Sequence, residues 1–239
     1  MLIHGDALLE LRKIPEATFD CILTDPPYNS GGNTLSAIQV APSKKYLKKS
    51  GRKKRDDYPE IFGDQQSLFA YQEWYLMWLN EAYRVTKSGG SLLVFCDWRS
   101  LPAVINWGQW ANYLYKGIVL WNKRAARPML HRFKHQAEYI IIFVKEKFEP
   151  NPDTGALPGV YEYAPPSPQK RKAMTEKPVE LLCDLLKICK PGSRVLDPFM
   201  GGGSTIEACL RCGFEPVGIE KSSSYFKIAA ERINSLNCK

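Results

Sequence analysis

Two periods of apolar residues run along this chain. Leu68, Tyr71, Tyr75, Trp78, Leu79 and Ala82 recur at spacings of three and four. That spacing predicts an amphipathic helix starting near Ser67, with Lys87-Ser88-Gly89-Gly90 expected to end it. Short apolar runs predict buried strands at Leu2 to His4, Phe19 to Thr24, Ser91 to Cys96, Gly117 to Trp121, Tyr139 to Val144, Arg194 to Leu196 and Val217 to Ile219. Helices are expected over Ala7 to Lys13, with Leu8, Leu9 and Leu11 on one face, and after a cap at Thr175, with Val179, Leu182, Cys183 and Leu186 on one face. Two more are expected over Ile206 to Arg211, closed by Gly213, and over Ser224 to Leu236. Strands alternating with helices predict an α/β fold with a mostly parallel central sheet and helices on both faces. Only one helix follows the strand Val217 to Ile219, so strands for the other half of a doubly wound sheet must come from the N-terminus.

Two stretches lack either period. Residues 29–64 hold Gly31-Gly32, Pro42 and Gly51, and residues 148–173 hold six prolines. Both are expected to be loops. The length of 239 residues with 44% hydrophobic residues otherwise fits a single domain, 1–239. The longest strictly apolar run, Ile140 to Val144, falls far short of the roughly 20 residues that cross a bilayer. The first six residues do not read as a signal peptide, so a soluble, cytoplasmic protein is expected. Seven cysteines argue against a disulfide framework, and Cys209-x-x-Cys212 lacks a second ligand pair, so no metal is expected.

The net charge is +8, and its placement is informative. Lys44, Lys45, Lys48, Lys49, Arg52, Lys53, Lys54 and Arg55 fall within twelve residues that contain no acid, so the rest of the chain is neutral. Concentrated cations suit a polyanion, nucleic acid being the commonest; the bland alternative is a solvated loop. A second basic connection, between two expected strands, contains Lys123, Arg124, Arg127, Arg132 and Lys134.

Two motifs carry chemistry. Asp197-Pro198-Phe199-Met200-Gly201-Gly202-Gly203-Ser204-Thr205 lies between a predicted strand and helix, where glycines admit close backbone approach and a helix start directs N–H groups at an anion. Glu220 stands seventeen residues past Gly203, where a carboxylate accepts ribose hydroxyls. No phosphate-cradling G-x-x-x-x-G-K-[ST] is present, and Asp197 suits an ammonium better than a phosphate. Ribose, ammonium, carboxylate and sulfonium together describe S-adenosylmethionine. The plain alternative is a glycine turn packing a helix on a strand.

The other motif is Asp25-Pro26-Pro27-Tyr28, at the end of a predicted buried strand. The amine of a nucleobase is a poor nucleophile because its lone pair is delocalised into the ring. The Asp25 carboxylate and the Pro26 carbonyl, held rigid by Pro27, are acceptors for its two hydrogens, and the Tyr28 ring is a stacking face for an extruded base. The alternative is a strand ending in a proline turn with a buried tyrosine.

Here the sequence resembles the DNA amino-methyltransferases of the permuted β class, in which D-P-P-Y precedes D-P-F-x-G-x-G-[ST]. Further matches are Gly5-Asp6, Lys87 to Ser91, His135-Gln136-Ala137-Glu138-Tyr139 and Thr175-Glu176-Lys177-Pro178, spanning nearly the whole chain. The resemblance implies a circularly permuted, Rossmann-like, S-adenosylmethionine-dependent domain. It implies that Asp25, Pro26, Pro27 and Tyr28 hold the target base. It also implies that Lys177, Asp197, Phe199, Gly201, Gly203, Ser204, Thr205 and Glu220 line the cofactor, with Asp6 at its adenine. The segment usually given to target recognition is short here, about 145–174, and residues 29–64 are expected to share DNA contact through the basic run together with Arg127, Arg132 and Lys134. Relatives often pair, and no stretch here decides between monomer and homodimer.

An aspartate opening the D-P-P-Y motif favours the N6 amine of adenine over cytosine N4. Competing readings are cytosine N4, amide or RNA methylation, and a DNA-binding module without catalysis. His131 and His135 are expected to be structural or phosphate-facing. Phe133 is expected either at the far wall of the base pocket or in the core, and Trp74, Trp78, Trp98, Trp107, Trp110 and Trp121 mostly in packing.

Overall fold

The computed structural model describes residues 1–29, 67–124, 130–131, 133–149, 151–167, 171–173 and 175–237. Its elements run β1 (Leu2–His4), α1 (Ala7–Lys13), β2 (Phe19–Thr24), α2 (Leu68–Val85), β3 (Thr86–Cys96), α3 (Leu101–Trp110), β4 (Leu114–Asn122), β5 (Ala137–Val144), β6 (Val160–Glu162), α4 (Val179–Leu186), β7 (Arg194–Asp197), α5 (Ser204–Arg211), β8 (Glu215–Glu220) and α6 (Ser223–Asn237).

All eight strands form one sheet in the order β1-β8-β7-β2-β3-β5-β4-β6. Only β5 runs against its neighbours. The N-terminal strands do complete the sheet: β2 pairs with β7 through Cys21↔Val195 and Ile22↔Leu196, and β1 pairs with β8 through Ile3↔Ile219. From β7 the chain crosses α5 to β8 on one side, and from β2 it crosses α2 to β3 on the other. The β7/β2 boundary is therefore the point where the winding reverses, and ligands of open α/β sheets bind outside the carboxyl ends there.

The sheet is buried on both faces, which is why its strands read as continuous apolar runs. Alternate residues of β3 point opposite ways: Leu92, Val94 and Cys96 meet α2 and α3, while Leu93 and Phe95 face Leu181, Leu182, Leu185 and Leu186 of α4. Met200, Ile206 and Ala229 form a smaller core under α6.

Several expectations need correction. α2 ends at Val85, and the Thr86 N–H bonds to Ala82, so Lys87 to Gly90 lie inside β3 rather than ending the helix. α4 is capped at Pro178, not Thr175. Leu9 points to solvent while Leu11 is buried. The sequence reading missed α3 altogether, and β6 lies within the stretch expected to be loop.

Candidate active site

Parallel strands place β1, β2, β3, β7 and β8 with their carboxyl ends at one edge, and the antiparallel β5 brings its amino end there. Asp6, Asp25, Asp197 and Glu220 follow or end those strands, and Glu138 enters from β5. All five line a single cavity of about 890 Å³. The two sequence motifs touch: the Thr24 hydroxyl donates to Asp197 Oδ1 at 2.8 Å across the β2–β7 seam.

On the glycine side, the turn is fastened by its own main chain. Asp197 Oδ1 also accepts the Phe199 N–H at 3.0 Å, and Met200 N–H bonds to the Ile219 carbonyl at 3.0 Å. Glu220 accepts from Gly201 N–H at 3.0 Å and from Ser222 N–H at 2.7 Å. Burial raises the Asp197 pKa to about 6 although the Thr205 and Thr24 hydroxyls and the Phe199 N–H pull it down. Burial likewise raises that of Glu220 against its backbone donors. Gly201 has φ +51°, and a Cβ there would meet no atom within 4 Å, so bare backbone faces open space. Phe199 is gripped by α2, its ring centroid 5.5 Å from Trp74 and 5.4 Å from Trp78.

Of the residues expected around a cofactor, Asp6, Lys177, Asp197, Phe199, Gly201, Ser204, Thr205 and Glu220 line the cavity, and Gly203 does not. With φ +79°, a Cβ on Gly203 would press on Ala229, 3.2 Å from its Cα, so this glycine lets α6 approach the turn. Asp6 caps α1 by accepting Leu8 N–H at 3.0 Å and pairs with Lys221 at 3.0 Å.

The Asp25-Pro26-Pro27-Tyr28 side is fastened differently. Lys177, whose side chain is 5% exposed, forms an ion pair with Asp25 Oδ2 and lies 3.4 Å from Glu138 Oε2. Glu138 also pairs with Lys123 through Oε1 and accepts the Tyr28 hydroxyl at 3.3 Å. The Lys177 ammonium sits 5.4 Å from the centre of the Tyr28 ring and 5.2 Å from that of Phe95, a cation–π arrangement. Burial alone would lower the Lys177 pKa, but the Asp25 and Glu138 charges outweigh it and hold the ammonium. Burial opposes ionisation of Glu138 too, yet Lys177 and Lys123 keep it a carboxylate. Burial raises the Asp25 pKa against the pull of Lys177. Asp25 Oδ1 is buried and has no hydrogen-bond partner.

Sequence reasoning named Lys177 for the cofactor and saw Lys123 only as part of a basic connection; Glu138 carried no role. Their meeting is set by the β4–β5 register, Trp121↔Glu138, and by the Lys123 N–H bond to the Gln136 carbonyl at 2.9 Å. Trp98 is 50% exposed and stacks on His135 with centroids 5.0 Å apart, both on the cavity wall. Trp110 is exposed as well, so neither it nor Trp98 belongs to the core expected of it. Phe133 is 94% exposed and is neither core nor cavity wall. Of the expected DNA contacts, Lys134 is exposed; residues 44–55, Arg127 and Arg132 lie outside the described residues. Among the described residues, no group of three or more His, Cys, Asp or Glu is arranged to hold a metal, and no helix is long and apolar enough to cross a membrane.

Known proteins resemble this chain along nearly its whole length. "DNA adenine methyltransferase YhdJ" of Escherichia coli (strain K12) is 26% identical over 98% of this chain and 82% of its own, and "Putative methylase YubD" of the same organism is 28% identical over 97% and 88%. Among solved structures, the M1.HpyAVI–SAM complex superposes with a TM-score of 0.70 at 22% identity over 98% of both chains. The PvuII DNA methyltransferase, titled cytosine-N4-specific, gives 0.68 at 16% identity over 97% of this chain and 85% of its own. These superpositions show the fold. S-adenosylmethionine is the methyl donor of the family. The DNA methylase family is matched over residues 19–231, a span that holds both motifs and every strand but β1, so this chain belongs to that family and is a DNA methyltransferase.

Proposed function

We propose that this protein belongs to the permuted β class and methylates the N6 amine of adenine in DNA, drawing the methyl group from S-adenosylmethionine. The observation that carries the reading is the convergence of the two turns. Asp25 and Asp197 end neighbouring strands at the winding reversal, one cavity joins them, and the buried Asp25 Oδ1 has no partner within the chain. The choice of adenine rests on the aspartate opening the motif and on the adenine methyltransferase among the relatives.

The residues fit the donor. Glu220, ending β8, is placed for ribose hydroxyls, the Gly201 backbone gives close approach, and the start of α5 favours a carboxylate. Asp197 faces the same space for an ammonium. When bound, the donor supplies a sulfonium methyl group, an electrophile that needs no strong base. Asp25 Oδ1 and the Pro26 carbonyl accept the hydrogens of the base amine, which favours a tetrahedral nitrogen with its lone pair free. The Tyr28 ring stacks on the extruded base, whose removal from the duplex costs a few kcal/mol. Once the nitrogen is alkylated it sheds a proton, and the nearby Asp25 carboxylate is placed to receive it. Residues 29–64, with their basic run, and 145–174 are the segments we assign to DNA contact, phosphates ahead of bases.

Incubating unmethylated DNA with the protein and S-adenosylmethionine, then digesting it for nucleoside mass spectrometry, tests the reading. N6-methyladenine is expected, N4-methylcytosine would move the assignment to the other base, and neither product would overturn it. Asp25→Ala is expected to lower turnover at least about 1000-fold while cofactor affinity stays within about threefold. Unchanged methylation would refute the role given to Asp25.

A further inference from the structure

We infer that Glu138 is a positioning residue for methyl transfer: it holds Lys177 and Tyr28 together, and through them fixes the Asp25 carboxylate. The inference rests on the function proposed above and adds a role for a residue outside both motifs. Glu138 sits at the centre of a chain of alternating charges, Lys123, Glu138, Lys177 and Asp25. Oε1 pairs with Lys123, while Oε2 serves both the Lys177 ammonium at 3.4 Å and the Tyr28 hydroxyl at 3.3 Å. One carboxylate thus contacts the stacking ring of the D-P-P-Y motif and the cation that holds the motif's acid.

Stability does not account for this arrangement. The side chains of Glu138 and Lys177 are 12% and 5% exposed, and taking such charges out of water costs about as much as their attraction returns. Apolar side chains of similar volume would fill the space at no loss. What an apolar filling cannot do is orient Asp25. With Oδ2 committed to Lys177, Oδ1 is left as the acceptor available to a substrate. Lys177 without Glu138 keeps one carboxylate partner instead of two, and Tyr28 loses the acceptor that sets its hydroxyl. Both halves of the motif then loosen together, and small misplacements of reacting groups are costly in rate.

The test compares wild type with Glu138→Gln, Lys177→Met and the double variant, using tritiated S-adenosylmethionine and unmethylated genomic DNA. Glu138→Gln is expected to lower kcat about 30- to 100-fold. The cofactor dissociation constant by calorimetry should stay within about threefold, and the thermal midpoint should stay near that of wild type. The effects of Glu138→Gln and Lys177→Met should be strongly non-additive, since one acts through the other. A wild-type kcat in Glu138→Gln, additive effects, or a fall in cofactor affinity and thermal midpoint matching the fall in rate would overturn the inference. A wild-type protein that methylates no DNA would instead fail the function itself, so the two outcomes are separable.

Discussion

The two turns that meet in the cavity are fastened by opposite means. The turn after β7 holds itself: Phe199, Met200 and Gly201 each donate a backbone N–H, to Asp197, Ile219 and Glu220. The turn after β2 has two consecutive prolines, which possess no N–H. It is fastened from outside by side chains, Lys177 and Glu138 from remote segments and Tyr71 from α2. The charges differ accordingly. Asp197 is surrounded by dipoles, hydroxyls and an N–H, whereas Asp25 faces a cation. The comparison teaches that the cofactor half is organised locally and the base half at long range, so damage to either should have different reach.

The largest expected effect falls on the cofactor half. Glu220→Ala removes the acceptor of both the Gly201 and Ser222 N–H groups and the carboxylate assigned to the ribose. Hydrogen bonds to a charged group contribute about 1.5–3 kcal/mol each, so cofactor affinity should fall about 100-fold or more. Calorimetric titration without DNA measures this, and DNA binding in a mobility-shift assay should stay within about twofold of wild type. Equal loss of both would break the division between the halves.

Asp197→Asn sharpens the contrast between dipoles and ions. The folded pKa of Asp197 is raised from 3.8 to about 6, chiefly by burial. Its folded state therefore binds the proton more tightly than the unfolded chain does. The stability it contributes is fully present below about pH 4 and is lost as pH rises through about 6. Asparagine keeps an acceptor for Thr24 and Phe199 without that loss. Relative to wild type, the ligand-free variant should gain about 1–2 kcal/mol between pH 4 and 7.5, less than the full shift implies because its hydrogen bonds are imperfect copies. Urea unfolding at both pH values measures the gain, and an equal stability difference at both would show that the ionised carboxylate carries no penalty.

The same division explains how much of the site was legible in the sequence. The residues of the glycine turn are contiguous, and Glu220 follows at the distance set by one helix and one strand, so a local reading finds them. Lys123 and Glu138 lie fifteen residues apart at facing ends of an antiparallel pair, and nothing local announces which strands will be neighbours. The alternating strands and helices fixed the sheet architecture, including the need for N-terminal strands. α3 was missed because Gly108 reads as a helix breaker. In the fold it makes room for Phe143, whose ring would collide with any Cβ there. β6 was hidden by the prolines around it, and pairs over only three residues at the end of β4.

The smallest predicted effect tests the outside fastening where no charge is involved. The buried Tyr71 hydroxyl donates to the Pro27 carbonyl at 2.7 Å, so α2 reaches over the β2 turn and holds it one residue before Tyr28. Tyr71→Phe keeps the ring and its packing on Trp74, Tyr75 and Trp107 but removes that bond. A neutral hydrogen bond is worth about 1 kcal/mol, so a turn that relied on it should misplace Tyr28 for part of the time and lose about three- to tenfold in kcat. Cofactor affinity should not change, because the glycine turn supplies its own donors. A steady-state comparison of kcat beside a cofactor titration decides the point: a drop in affinity with kcat preserved would mean that α2 serves the cofactor half through Trp74 and Phe199, and that the two turns are less independent than their bonding implies.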